Sequence, residues 1–213
     1  MKKIILLLFL CLSIYFVTSC SYLNLQIKEK TIKNQNNNIR YPKITLKKQP
    51  KLQDKINRQI YEVALAGKKD LKKYKPETYD YLSQYSVTYR KGPLISILFQ
   101  SSLTFPKLAH PINTLNSLTF NLLSGNHYQL KNIFSFFSNY EKKINKILTE
   151  KLKGKNLLQK FTGITKNQTY YLTHDGLVIY FQEYIYTPHV QGPLTILIPY
   201  SKIKNTIKKE FLP

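Results

Sequence analysis

The chain has 213 residues, of which 43% are hydrophobic, with 33 Lys and Arg against 11 Asp and Glu and a formal net charge of +22. Its two cysteines are too few for a disulfide framework. A charge of this size attracts anionic polymers at long range, but no helix-turn-helix, zinc-finger or aromatic RNP signature accompanies it, which argues against nucleic acid as the partner.

The chain opens with MKKIILLLFLCLSIYFVTSC. Two lysines precede an apolar run from Ile4 to Leu12, the layout of a signal peptide with an h-region too short to span a bilayer. Val17-Thr18-Ser19-Cys20 resembles the lipobox of bacterial lipoproteins, which implies cleavage after residue 19 and acylation of Cys20. Cys11 would then leave with the leader and Cys20 would carry lipid, so no thiol remains for a disulfide, a nucleophile or a cysteine metal site. Residues 1–19 are thus expected to be a signal peptide, and the mature chain to be tethered to an outer membrane face of the cell envelope. It would keep 31 basic and 11 acidic residues, a net charge of +20. The excess suits anionic lipid or phosphate-rich wall polymer. It is equally what an AT-rich coding sequence produces, being rich in Lys, Asn, Ile and Tyr and free of Trp.

Residues 20–40 are polar and Asn-rich without sustained periodicity, which predicts a flexible tether. The folded domain is expected over 41–213. Tyr41-Pro42 and KITLKK alternate as a strand. Pro50 opens a segment in which Leu52, Ile56, Ile60 and Val63 recur at helical spacing, with Gly67 as the stop. A lysine-rich solvated stretch follows. From Leu82 the period changes to two, and YSVTYRKG and PLISILFQSSLTF read as a strand pair joined through Lys91-Gly92-Pro93. This closes an N-terminal part at 105.

The C-terminal part, 106–213, begins at AHPIN and continues with a strand in LNSLTFNL and a Ser124-Gly125-Asn126 turn into HYQL. One helix is expected from about Lys131. A second runs from Tyr140 to Lys153, with Ile144, Ile147, Leu148 and Leu152 on one face. Tyr170 to Thr173 and Leu177 to Phe181 read as paired strands around His174-Asp175-Gly176, with Gly176 supplying a positive φ. The loop Glu183 to Gly192, a closing strand and a short Lys-rich helix from Ser201 complete the order. It predicts an α+β fold, an antiparallel β-sheet packed against amphipathic helices.

Catalytic motifs are sparse. His110, His127, His174 and His189 form no HExxH and no helical His pair, so no metal and no cofactor is expected. There is no GxSxG, no Gly-rich phosphate loop and no convincing carboxylate pair. The domain is therefore expected to be non-catalytic. An envelope enzyme acting on glycan would have His110, Glu183 and His189 as its polar cluster and would require them to converge in one pocket.

The run YYLTHDGLVIYFQEYIYTPHVQGP, closing in IPYS, resembles the C-terminal signature of the extracytoplasmic domain shared by the anti-sigma-V factor RsiV and the N-terminal part of the deacetylase PdaC. The matching positions are Tyr170, Tyr171, Asp175-Gly176, Phe181, Tyr184, Pro188, Gly192 and Pro199-Tyr200-Ser201, with Ala109-His110-Pro111 upstream. Ile185 stands where the family commonly carries an acid, and Glu183 lies just before Tyr184 instead. Neither the deacetylase domain nor a sigma-binding segment is expected within these residues. The resemblance thus implies a sensing or binding module for peptidoglycan, another envelope polymer or an envelope protein, with His110, Glu183, Tyr184, Tyr186 and His189 as the contact residues. The anti-sigma relative binds lysozyme. A domain near +20 opposes so basic a partner, since like charges slow encounter and cost energy at contact.

Overall fold

The computed structural model describes residues 25–213. The expected signal peptide and the expected acylation site Cys20 lie outside the described residues.

The described residues form two sheets. The first has six strands in spatial order: β1 (Leu25–Asn34), β2 (Asn37–Leu46), β3 (Asp80–Lys91), β4 (Leu94–Thr104), β5 (Ile112–Asn121) and β6 (Asn126–His127). The second has three: β7 (Tyr170–Leu172), β8 (Gly176–Phe181) and β9 (Leu194–Pro199). All neighbours are antiparallel except β2 and β3, which pair in parallel over Asn37–Ile39 because helix α1 (Pro50–Ala64) crosses between them. This is the expected α+β architecture, with one parallel step that the strand pattern alone did not reveal.

Of the expected tether, residues 20–24 lie outside the described residues, and the rest from Leu25 on is instead part of a hairpin. Residues Leu25 to Asn34 pair along their whole length with Asn37 to Leu46. The Asn-rich stretch is its turn, where the Asn34 side chain accepts from the Asn36 backbone N–H at 3.1 Å and the Asn37 side chain at 2.8 Å. Asn favours such local turns, so polar composition marked a reversal of direction rather than disorder. β1 is largely exposed because it is an edge strand. Its Lys28, Lys30 and Lys33 protect that edge from further pairing.

α1 begins with Pro50 in its first turn, where a missing N–H costs nothing. It buries Ile56, Ile60 and Ala64 against the first sheet. Once β2 leaves β3 after Ile39, helix side chains satisfy its freed backbone. Asn57 accepts from Ile44 N–H and donates to Ile44 C=O, both at 2.8 Å, and Gln53 accepts from Leu46 N–H at 2.9 Å. Ile39, Ile44, Ile95, Ile97, Phe99 and Phe120 complete this core.

The second core lies on the opposite face of the first sheet. There β7–β9, helix α3 (Tyr140–Leu152) and the C-terminal turns, including α4 (Tyr200–Ile203), meet Tyr89 and Leu94; the remaining helical turn, α2 (Leu71–Tyr74), follows a 3-10 turn after α1. The helix expected near Lys131 is only a 3-10 turn, Leu130–Ile133, in which Gln129 and Asn132 cap each other. The expected division at 105 is also displaced, since β5 and β6 extend the first sheet to His127.

β4 records how far the second sheet reaches. Leu94 to Ile97 are buried on both faces, whereas Gln100 is exposed and Ser102 half-buried between the buried Phe99, Ser101 and Leu103. Ser96 marks the covered half: its hydroxyl meets Thr119 at 3.0 Å and accepts from the Leu172 N–H at 3.1 Å. Past that point the face is open.

Candidate functional site

The open half of that face is a groove of about 730 Å³. Its floor is Leu82 and Gln84 of β3, Gln100 and Ser102 of β4, and Asn113 to Leu115 of β5; its wall is the loop joining β8 to β9, from Glu183 to Pro193.

β5 docks this loop. Beyond its short pairing with β6, β5 has a free edge, and the Gln182 side chain meets it like a strand. Its amide donates to Leu115 C=O at 2.6 Å and its oxygen accepts from Leu115 N–H at 3.0 Å. This repeats what Asn57 does for β2: a side-chain amide pairs with a strand edge that has no strand beside it.

Glu183 follows directly and is almost fully buried, its side chain only 6% exposed. One carboxylate oxygen accepts from Asn113 Nδ2 at 3.1 Å and the other contacts His189 Nδ1 at 2.8 Å. A carboxylate accepts only, so Nδ1 carries the hydrogen and a neutral His189 has its lone pair on Nε2. His110 is fixed by the same logic. Its Nδ1 lies 3.3 Å from the Pro111 carbonyl, which leaves Nε2 to accept from the Tyr184 hydroxyl at 2.8 Å. The two imidazoles stack with centroids 3.8 Å apart and planes 17° from parallel, and Tyr184 lies nearly parallel to His189 at 6.4 Å. Tyr184 takes φ +65°, held by its N–H to Thr187 C=O at 2.8 Å. That left-handed kink turns its ring back toward His110.

Four of the five residues anticipated as contacts therefore converge: His110, Glu183, Tyr184 and His189. The fifth does not. Tyr186 is buried in the second core, edge-on to Phe181 at 4.8 Å and beside Phe161. The kink at Tyr184 sends alternate side chains to opposite sides, so Tyr186 anchors the loop instead of presenting a surface. Asn113 and Gln182 were not anticipated. Each is an ordinary polar residue whose partner lies 70 or 67 positions away, so no local pattern marks it.

The groove's electrostatics are unlike those of the chain. Among the described residues no Lys or Arg lines it; besides Glu183 and His189, its polar lining is amides and hydroxyls. His127 and His174 lie elsewhere, against Phe120 and Tyr89. Among the described residues no group of three or more His, Cys, Asp or Glu is placed to hold a metal ion.

Residues 131–201, which contain the loop and the whole second sheet, match the family model described as "Protein of unknown function (DUF3298)". Two solved structures share the fold. One is a member of the DUF3298 family from Bacteroides fragilis NCTC 9343, at TM-score 0.61 and 16% identity, covering 87% of this chain and 94% of that one. The other is a DUF3298 family protein from Pseudomonas aeruginosa PAO1, at TM-score 0.58 and 15% identity, covering 89% and 95%. No curated protein matches the chain.

Proposed function

We propose that this chain is a lipid-anchored binding domain of the bacterial cell envelope, of the RsiV/PdaC type, whose groove receives an uncharged polar polymer such as a glycan strand. The chemistry of the groove supports this most directly. In a chain of net charge +22 the groove is lined by amides, hydroxyls, the Glu183–His189 pair and the exposed Val190, without a lysine or arginine among the described residues. Amides and hydroxyls exchange hydrogen bonds with sugar hydroxyls, while rings and aliphatic groups cover the apolar faces of a sugar.

Strand direction supports the anchoring. β1 runs from Leu25 toward its turn with β2, and the β2–β3 pairing sets that turn beside Tyr81 and Leu82, at the groove end of the sheet. Leu25 is at the other end. An acylated Cys20, five residues earlier in the chain, would therefore hold the domain with its groove facing away from the bilayer. Two acyl chains suffice for stable attachment at about 0.8 kcal/mol per buried methylene.

Titrating a soluble N-acetylglucosamine oligomer into the chain tests the groove. Binding should be lost in His189→Ala and be nearly the same at low and high salt, because no Lys or Arg among the described residues lines the site. Binding that weakens steeply with salt and survives in His189→Ala would move the contact to the lysine-rich surface and to an anionic polymer. Incorporation of labelled palmitate, abolished by Cys20→Ser, tests the anchor.

A second function is favoured by one observation, the convergence of His110, Glu183 and His189. In it the domain is an envelope enzyme acting on glycan, with His189 as a general base oriented by Glu183. Both Glu183 oxygens are engaged, however, so a second acid would have to come from the substrate or from water. Release of reducing ends from a glycan oligomer, lost in His189→Ala, distinguishes catalysis from binding.

A further inference from the structure

Phe136 and Phe137 are 93% and 90% exposed and pack edge-on with centroids 4.9 Å apart. They are the two central residues of a tight turn that the Ser138 N–H closes onto the Ser135 carbonyl at 3.1 Å. The turn stands on a fixed base. Phe134 bridges Ile207 in antiparallel fashion, Ser135 N–H donates to Thr206 C=O at 2.9 Å, and Lys208 N–H donates to Ile133 C=O at 2.9 Å. The Phe134 ring also lies flat on Tyr140 at 4.6 Å. Two phenyl rings are thus held out in water by a braced support, which a soluble domain has no folding reason to do.

The segments that build this base are cationic. Lys131, Lys142, Lys143, Lys208 and Lys209 lie on them against Glu141 and Glu210, and Glu141 accepts from the Tyr140 hydroxyl. We propose that the Phe136-Phe137 turn is a membrane-docking tip, its rings entering the interface of a bilayer with anionic headgroups while the lysines behind it meet those headgroups. Aromatic side chains favour the bilayer interface, and lysine stems extend to phosphate while their apolar parts stay in contact with it. A protein partner would favour anchor residues set within a drier rim, whereas these rings crown a convex turn flanked by serines.

Placement in the fold agrees. Leu212, five residues beyond the bridge at Ile207, accepts hydrogen bonds from Tyr89 and Lys91 at the β3–β4 end of the first sheet. That is the end where β1 begins, opposite the groove. The docking needs no acylation of Cys20 and stands apart from the groove's ligand.

The chain has no tryptophan, so Phe137→Trp in the full-length protein gives a single reporter at the tip. With vesicles containing phosphatidylglycerol its emission should shift to the blue and be quenched several-fold by lipids brominated in the acyl chains. Pure phosphatidylcholine vesicles should give a much smaller effect. A Val190→Trp reporter at the groove should keep its emission in water under the same conditions. An unchanged tip reporter with phosphatidylglycerol vesicles overturns the proposal, including the outcome in which it responds only to an added protein. Equal shifts at both reporters also overturn it, since they signal adsorption without a docking tip.

Discussion

His110 and His189 stack at 3.8 Å, and they come from segments far apart in the chain: the loop before β5 and the 3-10 turn before β9. The stack joins the two segments. His110→Ala removes it together with the acceptor of the Tyr184 hydroxyl, and should cost about 1–2 kcal/mol as one ring contact and one hydrogen bond. Thermal unfolding measures the loss. The His189 ring proton resonances should also move, because a ring lying over them is gone.

Glu183→Gln keeps the shape of the side chain and the contact with Asn113, but replaces a charge-assisted bond to His189 with a neutral one. The expected destabilisation is about 1 kcal/mol. The tautomer of His189 should lose its bias, which nitrogen-15 shifts of the ring report, and oligosaccharide affinity should fall even though the fold remains.

Gln182→Ala leaves the N–H and C=O of Leu115 without partners on a strand edge. Losing both should cost roughly 1–3 kcal/mol. The clearest readout is local: amide exchange at Leu115 should accelerate more than exchange at Phe120, further along the same strand.

Gly176→Ala should be among the most damaging single-methyl additions to the molecule. The new Cβ would run into the Ile198 carbonyl oxygen and sit 2.9 Å from the Ile198 carbonyl carbon and 3.0 Å from Pro199 Cα. Backbone on both sides of the β8–β9 ladder must shift, at a cost of about 3 kcal/mol. A drop in the denaturation midpoint with an unchanged slope is the expected signature.

The domain should lose stability in alkali. Burial pushes the Tyr180 hydroxyl up to about 12 and raises Tyr170 and Tyr200 as well. An unfolded tyrosine ionises near 10. Above that pH the unfolded chain gives up protons that the folded one retains, so the stabilisation is complete below about pH 10 and declines from there toward the folded pKa. Each such tyrosine then contributes a loss of up to about 1.4 kcal/mol per pH unit. Melting followed by tyrosinate absorbance should show these rings ionising together with unfolding, and Tyr180→Phe should flatten the decline.

Periodicity read from the chain placed α1, α3 and most strands, because each buries one face and therefore repeats at 3.6 or 2 residues. Features that obey no period were misplaced. The residues around Asn34 to Asn37 had the composition of a linker and form a hairpin turn. Gly176 was expected to supply a positive φ, but its φ is not among the positive ones. Its requirement for glycine comes from the close passage of β9, and the turn before it is made by Thr173, whose hydroxyl accepts from the N–H groups of Asp175 and Gly176. Nothing in the local pattern around β8 carries that information.

The sequence by itself determined the α+β class, the helix faces and the choice of the segment 183–192, because these depend on residues close together in the chain. Only the tertiary structure decided that His110 meets Tyr184 and His189, that Tyr186 turns inward, and that the described residues of so basic a chain form a groove without Lys or Arg. Those outcomes follow from how far the second sheet covers the first and from which strand edges remain for side chains to satisfy. Both are set by contacts between segments many tens of residues apart.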